Sequence, residues 1–199
     1  MTQLILASTS SARRMILANA GVECDAMAPM VDEDAVKQSF LNQNVSARDI
    51  ADALAEAKAV KLSLKNPAAL VIGADQTLEC ADGILLDKPD SPEQAISQLT
   101  QMAGATHKLY SAAVVAERGE PVWRFVATSR MTMRPLSDDF IAAYVDAHWD
   151  SIKHCVGCYQ IEGAGVQLFS QIQASHFDIM GLPLLPVLSF LRERGILAI

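Results

Sequence analysis

Leu70-Val71-Ile72-Gly73-Ala74-Asp75-Gln76-Thr77 is the stretch on which the reading of this chain turns. Aliphatic residues run into two small ones and then a carboxylate, the pattern of a buried strand that stops at an acid. In open α/β sheets chemistry gathers at the carboxyl ends of strands, where the backbone leaves the core and side chains meet solvent. Asp75 occupies such a place, and Arg13, Glu33, Lys58, Asp87 and Lys88 stand at similarly punctuated positions. The functional question is whether they converge.

Upstream of that strand, residues 3 to 7 read as a first strand. Ser8-Thr9-Ser10-Ser11 reads as a polar turn and cap, and a helix follows from about Ala12 to Ala20, closed by Gly21. A strand passing through hydroxyls into a helix start suits an anion, because free backbone N–H groups and the helix dipole point at it. The same residues also suit a capped surface helix with Arg13 and Arg14 in solvent. Val22 to Met27 forms a second strand, and Val31-Asp32-Glu33-Asp34 reads as a solvated turn or a helix start. Ser46 opens a long helix from Ala47 to about Leu64. Lys58 lies there among Ala55, Ala57 and Ala59, either as a poorly solvated lysine or as a surface one reached over small residues.

Downstream, Gly83 turns a hairpin whose return strand Ile84-Leu85-Leu86 ends in Asp87-Lys88-Pro89. Ser91-Pro92-Glu93 starts a helix to about Met102. Val114 to Ala116 and Val122 to Met133 read as antiparallel strands, and Ser137 begins a helix through Ala147. A Gly-rich segment from Val156 to Gly165, a strand from Val166 to Ile172 and an amphipathic helix from Pro183 to Arg194 complete the pattern. There is no internal repeat or low-complexity tract.

A chain of 199 residues can bury one substantial core or two small lobes. Its net charge of −7 disfavours a nucleic-acid polymer as partner, so an anion has to be held by local cations. No apolar run approaches the roughly 18 residues of a membrane span, and the first strand follows no basic leader, so a cytoplasmic protein without a membrane partner is expected. Cys24, Cys80, Cys155 and Cys158 do not form a secreted disulfide framework.

Known motifs narrow the chemistry. There is no Gly-x-x-x-x-Gly-Lys-[Ser/Thr] loop and no His-Glu-x-x-His, and Gly163-Ala164-Gly165 lacks the third glycine of a dinucleotide fingerprint. Cys155-Val156-Gly157-Cys158 has no second pair at zinc-like spacing, and His154 beside it does not change that. What remains is a set of carboxylates, lysines and an arginine, a combination suited to a divalent cation holding a polyphosphate.

Over nearly its full length the sequence resembles the Maf family of nucleoside triphosphate pyrophosphatases. The matching stretches are Leu6-Ala7-Ser8-Thr9-Ser10-x-x-Arg13, Val31-Asp32-Glu33, Ala57-Lys58-Ala59, Ile72-Gly73-Ala74-Asp75, Asp87-Lys88-Pro89, Glu162-Gly163-x-Gly165 and Gly181-Leu182-Pro183-Leu184. Several ordered matches in register are far more specific than any one of them. The resemblance implies an α/β fold in which helices flank an elongated mixed β-sheet, with residues 1–199 as one domain of two lobes around a central cleft, similar to inosine triphosphate pyrophosphatases. It also implies a homodimer.

Carried over by position, the resemblance implies that Ser8, Ser10 and Arg13 grip the triphosphate, that Glu33 and Asp75 hold Mg²⁺ or Mn²⁺, and that Lys58 and Lys88 contact phosphate oxygens. Asp75 would also be the general base. The implied reaction is hydrolysis of the α–β phosphoanhydride to a nucleoside monophosphate and pyrophosphate, as housecleaning against noncanonical or modified nucleotides. A non-catalytic nucleotide-binding regulator of cell division is the alternative, and a phosphatase releasing orthophosphate is a third reading.

The sequence departs from the family pattern at informative positions. The usual Ser-Pro-Arg-Arg becomes Ser10-Ser11-Ala12-Arg13. Gln76 and Glu162 stand where the branch acting on dTTP and UTP has Thr and Gln; both resemble the branch acting on 7-methyl-GTP, although the bulky aromatic expected there at position 12 is Ala12. An ionised Glu162 could only accept hydrogen bonds, which suits a base offering donors or positive charge. Asp87 replaces the usual Gly before Lys-Pro.

Overall fold

A computed structural model of the chain describes residues 3–41 and 45–198, without the side chains of residues 34, 38 and 41. Seven strands form one mixed sheet: β1 (Leu4–Ala7), β2 (Asp25–Ala26), β3 (Leu70–Glu79), β4 (Leu85–Leu86), β5 (Thr106–Glu117), β6 (Glu120–Met133) and β7 (Phe169–Gln173). Their order is β2-β1-β3-β5-β6-β7, with β4 paired to β3. The helices are α1 (Ser11–Asn19), α2 (Glu33–Leu41), α3 (Ala47–Lys65), α4 (Pro92–Met102), α5 (Asp138–Ile152), α6 (His176–Ile179) and α7 (Leu184–Glu193). This is the expected α/β class.

β1 is buried at all four positions and pairs in parallel with both β2 and β3. A strand enclosed on both sides has no solvated face, so its sequence is a continuous apolar run instead of an alternation. The register sets Leu4 beside Leu70 and Ala7 beside Gly73, so β1 runs out into Ser8 alongside Ala74.

The chain divides into two compact units, Met1–Gln76 with Ser111–Ala127 and Gly181–Ile199, and Thr77–Tyr110 with Thr128–Met180. The core of the first includes Ile5, Ala7, Leu62, Ala69 and Val71. That of the second gathers side chains such as Leu78, Leu99, Met102, Leu109, Met131 and Tyr159.

Several boundaries differ from the sequence reading. The acidic stretch after Val31 is the helix start of its two expected readings, with Asp32 Oδ1 accepting from the Ala35 amide at 3.0 Å; what the reading did not include is the helix that follows, α2, to Leu41. β2 is only Asp25–Ala26, because the Val22 amide is used to close α1 on the Leu17 carbonyl at 2.9 Å. β5 starts at Thr106 instead of Val114, and its first half buries His107 and Leu109 while Lys108 and Tyr110 stay half-exposed, an alternation hidden by polar residue types. α5 extends past Ala147 to Ile152, and residues Ala164–Leu168 form a 3-10 turn ahead of β7 where a strand was expected from Val166.

Candidate functional site

Side chains alternate along a strand, so Gly73 and Asp75 share one face of β3. A Cβ on Gly73 would lie 2.1 Å from the Ala55 carbonyl oxygen and 2.7 Å from the Ala59 amide nitrogen, both backbone atoms of α3. The helix therefore rests directly on the strand, an approach open only to glycine there and to the fully buried Ala51, Ala55 and Ala59 at four-residue spacing. Lys58, between Ala55 and Ala59 in sequence, is carried to the middle of β3, where its ammonium forms an ion pair and hydrogen bond with Asp75 Oδ1. The strand does not stop at this acid as the sequence pattern predicts but runs on to Glu79; what ends just before Asp75 is the pairing with β1, at Ala7 and Gly73. The same Nζ lies 2.9 Å from Glu33 Oε1 on the first turn of α2. Lys58 and Asp75 are buried, whereas the Glu33 side chain is 41% exposed. One buried ammonium is thus shared by two carboxylates, one facing the core and one reaching solvent.

Arg13 joins this cluster from α1. Its Nε donates to the Gly181 carbonyl at 2.8 Å and its Nη1 to the Ala74 carbonyl at 2.9 Å, with a longer bond from Nη1 to Ser8 Oγ at 3.4 Å. Burial pulls the guanidinium below its ordinary value, and the negative charges of Asp75 and Glu33 oppose that shift. Arginine remains charged in proteins, so a fixed cation sits within electrostatic reach of both acids. Gly181 has φ +94, and a Cβ there would come to 3.3 Å from Arg13 Nε. This accounts for Gly181 in the family-like stretch near the end of the chain. Ser10 is the N-cap of α1, its Oγ accepting from the Arg13 amide at 3.3 Å, and the Ser10 amide donates to Ser8 Oγ at 3.2 Å. Of the two readings of the α1 start, the geometry excludes a helix with Arg13 solvated: its guanidinium is anchored beside the acids.

The remaining predicted residues are Gln76, Lys88 and Glu162. Gln76 follows Asp75 and so projects from the other face of β3, where its Nε2 donates to Ser111 Oγ at 2.8 Å. Lys88 and Glu162 belong to the second unit. Lys88 is exposed just after β4. Burial pushes the Cys155 thiol up, with a hydrogen bond from Gln160 acting against it, Glu162 adding to it and Lys88 opposing it. Lys88 and Glu162 therefore share one electrostatic neighbourhood. The Gly-rich loop carrying Glu162 folds tightly on itself, since a Cβ on Gly165 would sit 2.5 Å from the Gln160 carbonyl oxygen. All four cysteines are free thiols.

Two contributors were not read from the sequence. Lys61, one turn beyond Lys58, donates from Nζ to the Met30 carbonyl and ties the segment before Glu33 to α3. Its signal was the i, i+3 pairing with Lys58. In the sequence Gly181 stands out only as part of a motif; its link to Arg13 spans 168 positions and no local pattern encodes it.

Among the described residues no group of three or more His, Cys, Asp or Glu side chains could hold a metal ion. Glu33 and Asp75 nonetheless converge on one cation, the Lys58 ammonium. Two hard oxygen ligands, with water and phosphate oxygens completing the shell, is the donor set Mg²⁺ prefers over an all-protein cage. The residues present fit such an ion. Among the described residues no helix is long and apolar enough to cross a membrane.

Comparison with known proteins gives the same direction as this geometry. The chain is 52% identical to a nucleoside triphosphate pyrophosphatase of Ruegeria pomeroyi, over 98% of this chain and 97% of the relative. It is 50% identical to proteins of the same name from Caulobacter vibrioides, covering 100% of this chain and 99% of the relative, and from Sphingopyxis alaskensis, covering 97% and 98%. The profile of the Maf-like protein family matches residues 3–194, a span that takes in Arg13, Glu33, Lys58 and Asp75 as well as Lys88, Glu162 and Gly181, and the chain belongs to that family.

Proposed function

We propose that this chain is a nucleoside triphosphate pyrophosphatase that hydrolyses the α–β phosphoanhydride to a nucleoside monophosphate and pyrophosphate, removing noncanonical or modified nucleotides. The observation that carries the reading is the Lys58 ammonium held between Asp75 and Glu33, with the Arg13 guanidinium beside them. A pure nucleotide binder has no use for a buried acid just past the edge where β1 ends, whereas hydrolysis needs a group that orients a water and takes its proton.

Asp75 is assigned that role, accepting the proton as the water oxygen bonds to the α-phosphorus and the bridging oxygen leaves with pyrophosphate. Lys58 faces phosphate oxygens and, with no substrate present, neutralises the two acids. Ser8, Ser10 and Arg13 hold the triphosphate at the start of α1, and Lys88 contributes a further cation. Glu33 and Asp75 would hold Mg²⁺ or Mn²⁺, which when bound supplies charge neutralisation to the polyphosphate. Gln76 and Glu162 are assigned to the base. Because a carboxylate only accepts hydrogen bonds, Glu162 favours a base with donors or positive charge, such as a methylated guanine.

The test is a product assay with Mg²⁺ or Mn²⁺ across 7-methyl-GTP, dTTP, UTP and GTP, comparing the wild type with Asp75→Asn. Pyrophosphate release that is abolished in Asp75→Asn supports the assignment. Nucleotide binding without turnover would establish a regulator instead, and orthophosphate as the first product would establish a phosphatase. Equal kcat/KM for all four nucleotides would remove the role given to Glu162.

A further inference from the structure

We propose that Gln98 and Gln94 of α4 are positioning residues for Lys88, clamping the backbone on either side of it; the inference rests on the phosphate role assigned to Lys88. Gln98 is only 6% exposed, and both ends of its amide are engaged. Its Nε2 donates to the Asp87 carbonyl at 3.0 Å, and its Oε1 accepts from the Cys158 thiol at 3.0 Å. One turn earlier, Gln94 Oε1 accepts from the Asp90 amide at 2.6 Å. Residues four apart lie on one helix face. The two glutamines therefore grip the carbonyl of the residue before Lys88 and the amide two residues after it.

Between those grips stand Lys88 and the buried Pro89, whose ring fixes its own φ and restricts the residue before it to extended conformations. Lys88 itself is exposed, so its direction is set by its backbone and not by packing of its side chain. The helix that does the clamping is well founded: Ser91 caps it by accepting from the Gln94 amide at 3.2 Å, and Pro92 opens it. Its buried face of Ala95, Leu99 and Met102 is part of the core of the second unit. A solvated lysine is thereby referred to a core helix.

The second bond of Gln98 extends this reference to the loop that carries Glu162. Cys155 to Cys158 form a tight turn, the Cys158 amide donating to the Cys155 carbonyl at 3.3 Å with Gly157 at φ +81. The fully buried Cys158 thiol supplies the donor that fixes the orientation of the Gln98 amide, leaving its NH₂ for Asp87. This assigns a use to half of the Cys-x-x-Cys motif that neither metal nor redox chemistry absorbs.

The test measures kcat, KM and Tm for wild type, Gln98→Met and Gln94→Ala, each with and without Lys88→Ala. Gln98→Met keeps the side-chain volume and removes both hydrogen bonds. It is expected to lower kcat/KM about 10- to 100-fold, the scale for misplacing a contacting group by about 1 Å. In the Lys88→Ala background the same change should cost less than about twofold, because a residue acting through Lys88 has nothing left to position. Gln94 is exposed and its loss is safe for folding, so Gln94→Ala reports by the same non-additive pattern if Gln98→Met fails to fold. Equal losses in both backgrounds, or activity unchanged in a folded Gln98→Met, overturn the clamp while leaving the pyrophosphatase reading intact. A wild type inert on every nucleotide overturns both.

Discussion

Replacing Gly73 by alanine tests the contact on which the candidate site is built. The new Cβ would lie 2.1 Å from the Ala55 carbonyl oxygen, and real Cβ atoms essentially never come within 3.0 Å of such an atom. The obstacle is helix backbone, so no rotamer change relieves it. α3 has to lift from β3 by about 1 Å, or the strand has to bend by as much. Overpacking of this kind costs about 1–3 kcal/mol. The displacement also separates Lys58, on the helix, from Asp75, on the strand, and a misplacement of about 1 Å costs about 100-fold in rate. Gly73→Ala is therefore expected to lose about 100-fold in kcat in the pyrophosphate-release assay, with thermal unfolding showing a folded but less stable protein. As a control, Gly83→Ala, where a Cβ would meet nothing within 4 Å although φ is +84, should lose some stability and keep its kcat. Wild-type kcat and Tm in Gly73→Ala would refute the claim that the close approach of helix and strand sets the Lys58–Asp75 pair.

Other substitutions test separate parts of the site and fold. Glu33→Gln should lower kcat with little change in Tm, because the Glu33 side chain is 41% exposed and its loss leaves Lys58 paired to Asp75. Lys58→Met should lower both, since an acid left buried beside an apolar side chain costs about 3–5 kcal/mol, read as a fall in the denaturation midpoint. Arg13→Lys should reduce kcat/KM about tenfold or more, because an ammonium cannot reproduce a planar fork bonded to the Gly181 and Ala74 carbonyls. His107 is buried, its Nε2 paired with Tyr159 Oη at 2.8 Å and its Nδ1 unpartnered among the described residues. Burial lowers its pKa from 6.5 to about 4. The unfolded chain then binds the extra proton between those values. Stability should be full above about pH 6.5 and fall by about 3 kcal/mol as pH drops to 4. His107→Phe should flatten that part of the stability profile, and an unchanged slope would show that other groups produce it.

Much of the fold is legible because burial leaves a local trace. Leu4 to Ala7 and Leu70 to Ala74 read as strands since both are covered on each face, and α1, α3, α4 and α5 announce themselves through serine caps that the structure confirms. The reading failed where a strand is made of polar residue types, as in the first half of β5, and where an amide is spent closing the preceding helix, as at Val22. Among the site residues, the sequence singled out Asp75, Glu33, Lys58 and Arg13 as chemically apt and gave the family through several short stretches in order.

The sequence by itself determined which side chains are available and which strand carries Asp75, because those depend on residue type and on periods of a few positions; it misplaced the end of that strand, which continues to Glu79. Tertiary structure alone decided that Lys58 is shared by Asp75 and Glu33, that Arg13 rests on the Gly181 carbonyl 168 positions away, and that Gln98 reaches Asp87 and Cys158. Each of these is a contact of a few ångströms between atoms on different elements. Such distances are set by how closely α3 settles on Gly73 and by where a loop is gripped, and neither quantity has any periodic signature along the chain.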